Sequence, residues 1–212
     1  MRRAMFGDAP LTFREFMTKE PVPLAEIHGC VLDFLRNRDD AALFGAQAVN
    51  AYVDEPRMTQ VVDVLSPVAD RLARELRDRL AERFGIAVRV REIAGGRGRR
   101  VYQVRKPKNR HLVDVRFVDD LPPTRRLGEV LVVGPEELIA GKVLAMHRRK
   151  GSPKAGTDWR DVAMLLLAFP ELKTADGPVR ERLVAAGAGA DVIATWTDLV
   201  DQEIVPADDD EL

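Results

Sequence analysis

Cysteine is almost missing from this chain: Cys30 stands alone among 212 residues, so no intrachain disulfide can form and a reducing compartment suits the protein. Histidine is nearly as scarce, and His28, His111 and His147 are scattered without any spacing that suits structural zinc or a hydrolase built on a serine or cysteine nucleophile. Net charge is also missing. Lys and Arg number 33 against 34 for Asp and Glu, a balance of -1, so any nucleic-acid contact has to come from a local patch rather than a global field. No segment approaches the ~18 uninterrupted apolar residues of a membrane helix. The opening MRRAMFGDAPLTFREF has two arginines but no apolar run of the secretory type, and the final DDDEL reads as a solvated acidic tail. These absences predict a cytoplasmic protein with no membrane partner. What is present, 46% hydrophobic and 32% charged residues, is enough for one sizeable core or two small ones.

Periodicity divides the chain into three stretches. Up to about residue 40, Leu24, Ile27, Val31 and Leu35 recur at helical spacing. From 41 to 133 the pattern alternates. AALF turns at Gly45 into a helix, and RMTQVVDVLS reads as a strand. A helix striped by Val68, Leu72, Leu76, Leu80 and Phe84 follows and ends at Gly85. AVRVREI, RVYQVRK and HLVDVRFV then form a meander of strands, followed by EVLVV. Beyond 134 the pattern is helical, through PEELIAGKVLAMHRRK and DWRDVAMLLLAF. The expected architecture is α/β: a mixed or antiparallel sheet flanked by helices, with a helical N-terminal segment (1–40), an α/β core (41–133) and a helical C-terminal part (134–212).

Two solitary acids raise the functional question. In RMTQVVDVLS, Asp63 shares a strand face with Thr59, Val61 and Leu65, away from Val62 and Val64. In HLVDVRFV, Asp114 lies opposite Val113, Val115 and Phe117. Each could be a half-exposed residue or the partner of an arginine. A buried carboxylate without a partner would cost several kcal/mol, so both need an account.

Taken in order, FGAQAVNAYVDEPRMTQVVDVLS resembles the opening motif of the DNA polymerase β-type nucleotidyltransferase superfamily, and most nearly the nucleotidyltransferase toxins of abortive-infection (AbiE-like) systems. In that pattern a Gly-Gly or Gly-Ser turn opens a helix before an Asp-x-Asp strand. Gly45, Ala48, Tyr52, Arg57, Thr59 and Asp63 fall in register with it, and Asp114 matches the third acid on a later strand. A second segment supplies a helix lysine, an Ala, an Arg and a D-x-x-D pair, which are Lys142, Ala145, Arg148, Asp158 and Asp161. The resemblance covers about residues 41 to 168. It implies transfer of a nucleotide from a nucleoside triphosphate to an RNA end, such as that of a tRNA, or to a protein hydroxyl, with Mg²⁺ as cofactor and an antitoxin protein as a possible partner. It makes Asp63, Asp114 and Lys142 the catalytic set and Asp63 and Asp114 the metal ligands. Gly45, Ala46, Thr59, Lys142, Arg148, Asp158 and Asp161 would hold the nucleotide.

Two positions depart from the pattern: Ala46 at the second residue of the glycine turn, and Val61 at the first acid of Asp-x-Asp. Valine cannot ligate a metal, so the implied chemistry should be impaired. The alternative is a non-catalytic module of this fold that binds nucleotide, RNA or a protein. Independently of any family, Lys142 lies in the apolar stripe of its helix, between Leu138, Ile139, Ala145 and Met146, where it must either meet an anion or reach out to solvent. Asp158 and Asp161 could also follow an N-cap at Thr157 and simply favour the helix dipole. Arg97, Arg99, Arg100, Lys106, Lys108 and Arg110 read as solvated turns in preference to a basic rim for RNA phosphates.

Overall fold

The computed structural model describes residues 22–206, so the expectations for the first stretch of chain and for the acidic end lie partly outside the described residues. Within that span the chain forms two compact units. One holds the residues up to Gln47 together with Met58–Val132, and the other holds Ala48–Arg57 together with the chain from Val133 onward.

The first unit begins with α1 (Leu24–Leu35), which buries Ile27, Val31 and Leu35, the apolar positions of its repeat. Strand β1 (Ala42–Phe44) runs directly into the short helix α2 (Gly45–Asn50). Strand β2 (Val62–Ser66) leads into α3 (Ala69–Phe84), which ends on Gly85 in the left-handed region at φ 62°. Strands β3 (Val88–Ile93), β4 (Gly98–Gln103), β5 (Arg110–Phe117), β6 (Thr124–Leu127) and β7 (Val130–Val133) complete one seven-stranded mixed sheet in the order β3-β4-β5-β2-β1-β7-β6. Helix α3 packs across β2, β3, β4 and β5. Val62, Val64, Val101, Val113 and Val115 are buried with its Leu72, Ala73, Leu76 and Leu80. This apolar face leaves the alternate residues, Asp63 and Asp114 among them, on the other side of the sheet.

The strand carrying Asp63 is shorter than the alternation suggests. It starts at Val62, and residues 53–61 are irregular, with local side chains bonding part of their backbone. Asn50 accepts from the Arg57 N–H and donates to the Arg57 carbonyl, at 3.0 and 2.8 Å, and the Thr59 hydroxyl donates to the Val61 carbonyl. Val61 is thus the residue immediately before the strand.

In the second unit, α4 (Pro135–Arg148), α5 (Pro153–Ala168), α6 (Pro178–Ala185) and α7 (Ala190–Asp201) surround a core that includes Ile139, Val143, Leu165, Leu183 and the fully buried Trp196. Residues 48–57 join these helices through Tyr52. Its hydroxyl donates to the Val133 carbonyl at 3.1 Å, and its ring meets Phe169 edge-on. Helix α5 begins at Pro153, with Ser152 in the N-cap position, so Thr157 is not a cap and Asp158 and Asp161 lie inside the helix instead of in its first turn. Proline at the first helical position needs no N–H partner, which favours the earlier start.

Candidate active site

Strands β2 and β5 are parallel neighbours, and their register sets Asp63 directly beside Asp114. Adjacent strands lie ~4.8 Å apart, and partners in register project from the same face, so the two carboxylates are neighbours on the side of the sheet opposite α3. Asp63 also faces Phe44 across the antiparallel β1–β2 pair. Gly45 follows Phe44 at φ +69°, and a Cβ built there would stand 2.6 Å from Asp63 Oδ2. Glycine is thus required twice over, for its backbone conformation and for the close approach of the carboxylate. Ala46, the next residue, is buried.

One arginine completes this row. Arg100 on β4 pairs with Asp114 across the β4–β5 ladder, and its guanidinium donates to both carboxylate oxygens, with Nε to Oδ1 at 2.7 Å and Nη2 to Oδ2 at 2.5 Å. The field of Asp63 adds to that of Asp114 in raising the Arg100 pKa above its ordinary value, after the hydrogen bond to Asp114 itself. Arg91 stands beside Arg100 on β3, and Arg116 lies over the Phe44 ring at 4.7 Å. Thr59 is half-buried near the start of β2.

The other residues singled out in the sequence meet in the helical unit. Lys142 Nζ is 2.6 Å from Asp161 Oδ2 and 3.4 Å from Asp158 Oδ1. Arg57 forks onto Asp161 at 2.7 and 2.8 Å. Arg149, not Arg148, binds Asp158 at 2.7 Å, and Arg148 is exposed. Asp161 is completely buried. Burial pushes its carboxyl pKa up, but Arg57 and Lys142 outweigh burial and hold it below the usual range. The lysine in the apolar stripe thus meets anions, and these are the D-x-x-D pair of the neighbouring helix.

The donor set can be tested against a divalent ion. Mg²⁺ takes oxygen ligands, commonly one or two carboxylates completed by phosphates and waters, and Asp63 with Asp114 meets that need for one ion. A second ion would need more. Among the described residues no group of three or more His, Cys, Asp or Glu could hold a metal, and Val61 supplies no donor.

A family profile described as nucleotidyl transferase AbiEii toxin, type IV toxin–antitoxin system, matches residues 32–208. The chain belongs to this family. The fold of the AbiEii-family chain is also found in solved nucleotidyltransferase-type structures. Megavirus polyadenylate synthase is similar with a TM-score of 0.59 and 14% identity, over 74% of this chain and 34% of that one, so the chain spans about a third of the viral enzyme. JHP933 from Helicobacter pylori is similar with a TM-score of 0.55 and 13% identity, over 90% of both chains. No curated protein matches the chain. Among the described residues no helix is long and apolar enough to cross a membrane.

Arg100 and Arg149 escaped the sequence reading. Arg100 looked like part of a basic turn. The alternation of Arg100 and Tyr102 against Val101 could have put it on a sheet face, but nothing in the sequence gave its partner.

Proposed function

We propose that this AbiEii-family chain transfers a nucleotide from a nucleoside triphosphate to a hydroxyl acceptor, an RNA end or a protein side chain, with Mg²⁺ and at a rate held down by Val61. The observation that carries this reading is the in-register pairing of Asp63 with Asp114, beside a glycine whose added Cβ would stand 2.6 Å from Asp63 Oδ2. Asp63 and Asp114 would hold one ion, which would supply charge to offset that of the triphosphate. Asp114 is also the group suited to accept the proton of the attacking hydroxyl, once Arg100 has released it. Lys142, Asp158 and Asp161 form a fixed ion network within the helical unit. The family's toxin–antitoxin setting makes an antitoxin protein the natural partner.

A second reading, nucleotide or RNA binding without transfer, is favoured by the guanidinium fork on Asp114. The experiment that separates them incubates the protein with each of the four triphosphates, labelled at the α-phosphate, and an RNA pool. Transfer by the unmodified chain should be slow, absent in Asp114→Asn, and raised on the order of a thousandfold in Val61→Asp. Thermal stabilisation by triphosphate with no labelled product from either Val61→Asp or the unmodified chain would favour binding alone. Full activity in the unmodified chain would overturn the role given to Val61.

A further inference from the structure

Arg100 is the one residue of the acid row that the family pattern does not account for, and its position depends on an irregularity in the sheet. Gln103 pairs with Arg110 and Tyr102 with His111, but Val101 then pairs with Val113, so Leu112 has no partner across the ladder. This one-residue bulge shifts the rest of the register. Without it Arg100 would face Val113, and with it Arg100 faces Asp114. Bulges of this kind re-aim side chains, and the side chain re-aimed here closes on a carboxylate.

The pair is unequal in exposure. Asp114 lies on an inner strand with its side chain 11% exposed, whereas the longer Arg100 side chain is 23% exposed. Among the described residues Asp114 is the only acid that Arg100 hydrogen-bonds. Its other neighbours include Arg91, which lies over Tyr102, and His111, whose pKa is lowered by burial first and then by Arg100 and Arg91. The positive charge of Arg91 disfavours movement of the guanidinium toward β3.

We infer that Arg100 is a built-in cation that closes the Asp63–Asp114 pair to divalent metal until it is displaced. A metal ion needs the same Asp114 oxygens that the guanidinium fork occupies, so the two cations compete for one carboxylate. A dication could replace the guanidinium on Asp114, and the cost of breaking the fork lowers the affinity of the unliganded protein. Arg100 is therefore a gating residue, acting on the ion through Asp114. The inference rests on the reading of Asp63 and Asp114 as the pair that holds metal.

The test is Mn²⁺ binding to the full chain without nucleotide, read from the paramagnetic signal of the free ion. The unmodified chain should bind weakly. Arg100→Gln should bind at least about tenfold more tightly, since a charge-assisted fork no longer has to be broken. Arg100→Lys, which keeps the charge but loses the fork, should fall between them and serves if the glutamine variant fails to fold. The gain should vanish when Asp114→Asn is added. Equal affinity of the unmodified and Arg100 variants, including no binding by any of them, would overturn the gate, as would a gain that survives Asp114→Asn. Transfer is scored separately: a gate seen by Mn²⁺ in a chain that transfers nothing would remove the proposed activity and leave the gate standing.

Discussion

The sheet unit and the helical unit each hold an aspartate forked by an arginine, and the two pairs differ in what surrounds them. Asp161 has no exposed surface and is held by two cations, Arg57 and Lys142, while Asp158 beside it is held by Lys142 and Arg149. Among the described residues Asp114 is held by Arg100 alone, and it sits beside another acid. A buried carboxylate with every lone pair engaged fixes helices against one another and has no capacity for a ligand. A carboxylate with one displaceable partner and a like-charged neighbour stores unfavourable charge that an incoming cation relieves. On the proposal above, the first cluster is architectural and the second a site of cation exchange, and substitutions test that contrast.

The largest effect is expected at Asp161. Asp161→Ala leaves Lys142 and Arg57 without the anion they share, and the loss of one member of a buried pair costs about 3–5 kcal/mol. Urea unfolding of the variant against the unmodified chain measures it. A change below that of the Asp114 variant would reverse the contrast between the units.

Acid should reproduce that effect in part. The Asp161 carboxyl is held below its unfolded value, so its contribution is fully present above the ordinary carboxylate range and is lost as pH falls through the lowered value. Below about pH 4 the unfolding midpoint of the unmodified chain should therefore fall more steeply than that of Asp161→Asn. Parallel midpoints would show that Asp161 contributes nothing through its charge.

Gly45 comes next, because it tests the geometry of the exchange site without touching its charges. Gly45→Ala places a Cβ 2.6 Å from Asp63 Oδ2 at a backbone φ of +69°. The left-handed conformation alone costs about 1–2 kcal/mol, and moving Asp63 adds to it. Urea unfolding reads the first term and Mn²⁺ affinity the second. An alanine variant with unchanged stability would mean that α2 can re-form without this turn.

The order of strands and helices was largely legible, because apolar alternation and helical stripes report which face is buried and need no tertiary information. The Gly45 turn, the α3 stripe ended by Gly85 and the β3-β4-β5 meander follow from such local signals. The side-by-side placement of Asp63 and Asp114 was a different matter, since it depends on β2 and β5 being parallel neighbours separated by a helix and two strands. A motif resemblance could suggest it, and local pattern could not. Arg100 was illegible for a third reason: the bulge at Leu112 leaves no mark on hydrophobic periodicity, yet it decides which residue the guanidinium meets. Thr157 misled because a good capping residue was outweighed by a proline start four residues earlier.

The smallest effect on stability is expected where the effect on function is largest. Asp114→Asn removes the charge opposite Arg100 but keeps an amide oxygen able to accept one of its hydrogen bonds, and the guanidinium can turn to water. With the arginine partly exposed, the change should stay near 1 kcal/mol. That lies well under the cost at Asp161, although both are aspartates forked by arginine. Chemical unfolding measures the small number, and loss of Mn²⁺ uptake in the Arg100→Gln background measures the large one. If Asp114→Asn unfolds the chain as readily as Asp161→Ala, Asp114 is part of the architecture, and the exchange site has to be sought elsewhere on the sheet.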